Sequence, residues 1–337
     1  MSINKAKAFF VIGIVAIAGL SIGIYYYDQF QNTKYDVRIG YISGDLHHLA
    51  FFVARNRSMY NASQLNVTAY GITNGNDIML NFESPQRSID MAYLGIVPAM
   101  NHKITAKANI TILANVNSNG SAIMVKNDGS IQSVADLANK KIAVPTRNNS
   151  VQDFILRMVF EQNGITYDPI NNIVDMSPAN MVLDNFNSVS AFVAWEPYNV
   201  KALAGNGKYL INSSQIWNSH PCCVLASHND FLLHHEDIVR KVLEVHKQAT
   251  QWIIDNPEEA KQIAMYELNL SYDQATIAIA NIGYENLVNK AIYTEFVQKL
   301  LAVNPTVSSS FSTNYSGMNA SQFVDLIVSA ELAEESH

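Results

Sequence analysis

Short apolar runs of strand length alternate with helix-length amphipathic segments along most of this 337-residue chain, and that alternation restricts the fold more than any other feature. A strand, a helix and a second strand return the chain to one sheet in parallel, so repeated units build a helix-wrapped sheet. The first block opens with a strand at 37–42 (VRIGYI) and a turn and helix in SGDLHHLAFFVARN, where Leu49, Phe52 and Val53 share a face. A strand at 65–70, a short helix at 76–82 and a strand at 89–94 follow. Pro98 then falls in the first turn of the next helix, where its missing N–H costs nothing.

The second block starts with strands at 110–115 and 122–126, separated by NSNG. Ser133 and Asp136 form a capping box for a short helix, and the strand 141–144 stops at Pro145. A second box, Ser150 with Asp153, heads a helix carrying Phe154, Ile155, Met158 and Val159. A strand near 173–175, a helix begun by Ser177 and Pro178, and a strand at 191–194 close the unit. After one more strand, 222–226, the pattern reads as wholly helical. Its longest element, 236–254, repeats Ile238, Val242, Val245, Ala249 and Ile253 down one side. Asn256 and Pro257 end it, and helices are expected at 257–265, 271–280 and 293–301.

Residues 1–35 stand outside this rhythm. Lys5 and Lys7 precede an apolar run over 8–24, extended by Tyr25, Tyr26 and Tyr27. About 20 such residues cross a hydrocarbon layer of roughly 30 Å, and basic and aromatic flanks mark its two faces. The run is long for a signal peptide and lacks a small-x-small site, and no cysteine follows it for lipid attachment. An uncleaved N-terminal membrane anchor and tether is therefore expected, with the globular part on the extracytoplasmic side. Roughly 300 residues remain, more than one compact core usually holds, so two lobes are expected. Charged residues make up only 15% of the chain, and ten Asn-x-Ser/Thr sequons occur, a combination that fits a glycosylated surface protein of archaeal type. The net charge of −7, without any basic run, excludes nucleic acid as a partner class.

Six segments, in order, carry a family resemblance: GYISGDLHHLAFFVA, IDMAYLGIVPA, SVADLANKKIAVP with NSVQDFILR, MSPANMV, AFVAWEPY and HPCCVLASHNDFL. Together they resemble the solute-binding proteins of ABC importers for nitrate, sulfonates and taurine, over about residues 36–330. The resemblance implies a two-lobed α/β fold of the periplasmic-binding-protein type II class, two mixed sheets flanked by helices. It places lobe one at 36–117 plus 222–337 and lobe two at 118–221. It further implies a monomeric receptor, not an enzyme, that closes on a small solute of the nitrate, sulfonate, taurine or bicarbonate class, without cofactor, and delivers it to a membrane permease. A related branch implies an alternative, a receptor for a thiamine-pyrimidine-like precursor, with Trp195 and Tyr93 stacking on the ring. A pyrimidine-synthesising enzyme is the weaker variant, because its dense cysteine motif is missing.

In open α/β sheets ligands sit beyond the carboxyl ends of strands, which selects four places. After strand one, Ser43 and Asp45 either cap the helix or, with the helix N–H groups, meet an anionic head group; His47 and His48 follow as hydrogen-bonding candidates. After strand three, Gly95 permits close backbone approach. At the head of lobe two, Asn149, Ser150 and Gln152 are candidates. Asn149 and Val151 depart from the family's Gly-Ser-Thr-Gln pattern, and Arg147 is the residue able to restore positive charge. Trp195 offers a flat apolar wall, while Glu196 either caps a helix or accepts from the solute or the opposite lobe. His47, His48, His220, Cys222 and Cys223 form a separate constellation. Neighbours in a strand point oppositely, so each pair is expected to supply one ligand at most, and no metal site is assigned.

Overall fold

The computed structural model describes residues 34–329. The anchor expected over 1–35 lies outside the described residues except for its last two. Among the described residues, no helix is long and apolar enough to cross a membrane.

Among the described residues, eleven strands form two sheets. The chain lays down β1 (Tyr35–Ile42), β2 (Leu65–Ile72), β3 (Met91–Gly95) and β4 (Ile110–Asn119), with helices Leu49–Asn56, Gly75–Glu83 and Ile96–Ala106 between them. Gly120 then carries it into β5 (Ser121–Lys126), β6 (Ile142–Val144), β7 (Ile173–Asp175), β8 (Ala191–Trp195) and β9 (Gly207–Asn212). β10 (Pro221–His228) and the short β11 (Ile282–Tyr284) belong again with the first strands. The six-stranded sheet has the order β11-β4-β10-β3-β1-β2, and the five-stranded sheet β7-β6-β8-β5-β9. β2, β1 and β3 run parallel, β10 inserts antiparallel between β3 and β4, and β7, β6 and β8 run parallel beside an antiparallel β5.

Burial explains the strand assignments. Every residue of β3, β6, β8 and β10 is buried, the signature of strands covered on both faces. The helix Val151–Gln162 is buried along ten consecutive residues because it serves two cores. Its Phe154, Ile155 and Met158 join the apolar core of the larger sheet, while Leu156, Val159 and Phe160 join that of the smaller one. Phe154 meets Phe296 of the helix Lys290–Val303 at 4.8 Å between ring centroids, so the two halves are packed together behind the cleft.

Several expectations change. The segment after β10 is not wholly helical, since β11 pairs with the edge of β4. β9 was not expected, nor were the helices Pro305–Asn314 and Ala320–Ile327. Residues 117–119 extend β4 rather than forming a loop, leaving Gly120, at φ +85°, as the link to β5. The Ser133 and Asp136 capping box is present, but the second is only half formed. Ser150 Oγ accepts from Asp153 N at 3.2 Å. The Asp153 carboxylate instead accepts from Asn148 N at 3.0 Å and from Arg157 Nε at 2.7 Å, which ties down the loop ahead of the helix.

Candidate functional site

A cleft of about 380 Å³, counting its open mouth, lies between the sheets. Its walls are the carboxyl ends of parallel strands from both halves: Ile42 ending β1 and Asp45 beyond it, Asn74 after β2, Gly95 at the end of β3, Thr146 after β6, and Trp195 closing β8. Asn149, Ser150, Val151 and Gln152 form the N-terminal turn of the second half's long helix on the same cleft, and His47, Cys222 and Cys223 make its floor.

Of the expected site residues, Asp45, His47, Gly95, Asn149, Ser150, Gln152 and Trp195 therefore meet in one place. Gln152 is held by Nε2 donating to Ser121 Oγ at 2.9 Å. The Trp195 ring packs edge-to-face on Tyr198 at 5.9 Å, and its buried Nε1 has no partner within the protein. Buried Trp N–H groups ordinarily find an acceptor.

The remaining candidates lie elsewhere. Ser43 is exposed and off the cleft lining; its backbone N–H donates to Ile72 O. The N-cap is Asp45, which accepts from His47 N at 2.9 Å while also facing the cleft. His48 is a core residue: its Nδ1 accepts from Ile42 N at 3.2 Å, and its ring lies against Tyr93. Tyr93 itself is fully buried between Phe51 and His246, so it cannot stack on a solute. Arg147 does not compensate charge in the cleft, because it is engaged outside by Asp175 at 2.9 Å and by Pro169 O at 2.8 Å.

Glu196 turns away from the cleft. It accepts from Tyr209 Oη at 2.7 Å, from Asn281 Nδ2 at 2.8 Å and from Val200 N at 3.3 Å. Asn281 sits beside β11, so this carboxylate pins one half to the other rather than touching solute. At the opposite lip Asn149 Nδ2 donates to Asn76 Oδ1 and pairs with His102 Nε2 at 2.9 Å, a second link between the halves. Burial raises the Glu196 pKa, outweighing the hydrogen bonds from Tyr209 and Asn281.

On the cleft floor the expected alternation of the two cysteine side chains fails. The register of β10 against β4 shifts on both sides of Cys223, and such a bulge re-aims side chains that would otherwise alternate. Both thiols consequently face His47, whose Nδ1 is 3.7 Å from Cys222 Sγ and 3.7 Å from Cys223 Sγ. Asp45 Oδ1 is 3.3 Å from the same nitrogen. His220 is buried nearby with Nδ1 toward Pro221 O.

Strong electrostatic coupling follows. Burial pushes the Asp45 pKa up to about 7, against the pull of His47. Burial pulls His47 down, but the Cys222 thiolate and Asp45 outweigh it and lift the imidazole to about 9. Cys222 is held well below the ordinary thiol range, first by a hydrogen bond from Cys223 and then, against burial, by His47. Cys223 moves the opposite way, raised by burial and by the adjacent thiolate. The floor thus gathers two thiols, an imidazole and a carboxyl whose ionisations depend on one another, and the lining holds no lysine or arginine.

Ile42, Asn74 and Thr146 also line the cleft and were missed from sequence. Asn74 could have been found by the same strand-end rule, since it follows β2 and caps the next helix through Asp77 N at 2.9 Å.

Solved structures share this architecture. The ligand-binding component of an ABC-type import system from Staphylococcus aureus, with zinc bound, is 20% identical with a TM-score of 0.74, over 90% of this chain and 99% of that one. The nitrate-binding protein of Synechocystis PCC 6803 is 17% identical with a TM-score of 0.75, over 90% and 88%. The alkanesulfonate-binding protein of Xanthomonas axonopodis pv. citri, bound to MOPS, is 17% identical with a TM-score of 0.69, over 88% and 99%. No curated protein matches in sequence. Residues 31–267 match the NMT1-like family, a span that includes β1 to β10 and every residue of the cleft, and the chain belongs to that family.

Proposed function

We propose that this protein is an extracytoplasmic solute receptor for an ABC importer, closing its two lobes on a small solute and presenting the closed form to a membrane permease. The observation that carries the reading is the cleft itself, walled by strand ends and helix N-termini from both sheets. A solute that touches both halves favours the closed arrangement by differential binding, which is what a receptor needs. Three structural neighbours named for import, nitrate binding and alkanesulfonate binding support the same class.

The lining narrows the solute. Asn74, Asn149, Ser150, Gln152 and Thr146 supply uncharged hydrogen-bonding groups, Trp195, Val151 and Ile42 an apolar wall, and His47 the one cationic group. With Arg147 engaged outside and Asp45 present, a multiply charged anion is poorly matched; a singly charged oxyanion of the nitrate, bicarbonate or sulfonate class fits. The burial of Tyr93 removes half of the stacking pair that a pyrimidine would use. A thermal-shift screen of the full-length chain with nitrate, bicarbonate, sulfonates, taurine and pyrimidines tests the class. A solute at a hundredfold excess over its Kd stabilises by about 2.7 kcal/mol. A response to any of the three oxyanions supports the reading, and no response to any anion sinks it.

A further inference from the structure

We propose that His47, Cys222 and Cys223 bind a thiophilic d10 cation, Cu+ or Zn2+, on the cleft floor. The inference deepens the receptor reading and rests on it for the ion's role as cargo or as part of a coordinated solute, whereas the site stands on its own geometry.

That geometry is specific. The ligand atoms of the three residues lie within 4.8 Å of one another, and all three residues are buried. With metal–sulfur bonds near 2.3 Å and metal–nitrogen bonds near 2.0 Å, nitrogen and sulfur lie about 3.5 to 3.8 Å apart at tetrahedral to trigonal angles. The two observed separations are both 3.7 Å. An ordinary strand would have sent one of these thiols to the far face, and the bulge at Cys223 sends both to the same imidazole. Two thiolates and one imidazole are a soft donor set, which selects Cu+ or Zn2+ over hard cations.

The imidazole is also fixed from behind. Nε2 of His47 is buried and lies against Gly120, where a Cβ would come within 2.1 Å of it, so only a glycine leaves the ring in place. Nδ1 is thereby aimed at the thiols. Three protein ligands complete a trigonal Cu+ site, whereas Zn2+ requires a fourth, which the cleft above is open to supply. Binding releases the proton of whichever thiol still carries one, and no oxidant or reductant is involved.

The test uses the full-length chain, purified in mild detergent under reducing conditions. Zn2+ and Cu+ are each titrated against a competing chromogenic chelator, and Co2+ is added separately to look for a thiolate-to-cobalt charge-transfer band. One equivalent of Zn2+ or Cu+ is expected, with affinity weakened at least about a hundredfold in Cys222→Ser/Cys223→Ser. In case that variant fails to fold, Gly120→Ala displaces His47 with both thiols intact and should also weaken binding, while the ion should protect both cysteines of the native chain from alkylation. Failure of both ions to bind at one equivalent, or binding unchanged in the double variant, overturns the proposal. The two readings fail separately. An oxyanion response in a chain that takes up neither ion keeps the receptor and removes the metal site. Metal binding with no oxyanion response keeps the site and removes the oxyanion class of the receptor reading.

Discussion

Replacing Gly120 by alanine probes the packing that positions the cleft floor, and a second glycine supplies its control. Gly120 joins β4 to β5 at φ +85°, and Gly129 has nearly the same conformation at φ +80°. An L-residue in the left-handed region costs about 1–2 kcal/mol, so both Gly120→Ala and Gly129→Ala lose that much. Their surroundings differ. A Cβ at Gly129 meets nothing within 4 Å, whereas one at Gly120 comes within 2.1 Å of His47 Nε2 and 2.8 Å of Ile282 Cγ1. Forcing an extra methyl into a packed interior costs a further ~1–3 kcal/mol. Gly120→Ala should therefore destabilise by about 2–5 kcal/mol and Gly129→Ala by only the backbone share. Urea unfolding followed by tryptophan fluorescence, at unchanged m-value, reads the difference. Equal losses in the two variants would refute the claim that His47 is wedged against the interlobe link.

Three further outcomes follow from particular contacts. Burial lowers His246 to about 4 from its ordinary 6.5, so the unfolded chain binds the extra proton first and stability falls as pH drops from about 6.5 toward 4, by up to about 3 kcal/mol. His246→Gln should flatten that part of the stability profile, and an identical slope in variant and native chain would contradict it. Trp195→Ala should weaken solute binding by about 30-fold, or about 2 kcal/mol, in a calorimetric titration; unchanged affinity would place the ring in the core alone. Arg147→Ala removes an ion pair whose side chains are 38% and 45% exposed, worth at most about 1 kcal/mol. It should leave anion affinity unchanged, and a large loss of affinity would return Arg147 to the site.

What the sequence revealed and concealed divides along physical lines. Strands buried on both faces, such as β3 and β8, announce themselves as apolar runs, and helices with cap residues announce their starts. β9 and β11 did not: β9 is half-buried along nearly its whole length, and β11 is three residues set among helical segments. The strand-end rule selected Trp195, Gly95 and the Asn149 to Gln152 turn, which all line the cleft, since it depends only on topology. Reading from local sequence misplaced residues whose surroundings are set by distant partners: Asp175 for Arg147 and Asn281 for Glu196 at the strand ends, and the Phe51 and His246 packing for Tyr93, the ring-stacking residue of the pyrimidine alternative. The cysteine pair was misjudged for a different reason. Alternation is a sound rule within a regular ladder, and the one local hint that it would break was Pro221, a residue confined to strand starts, edges and bulges.

The central claim is that a single solute is held by both lobes at once, and calorimetric titration of variants on opposite walls tests it most directly. With the solute identified in the thermal screen, Asn74→Ala on the β2 side and Gln152→Ala on the far side should each lower affinity for that same solute. The account predicts losses from both walls. Loss from one wall, with the other indifferent, would contradict it.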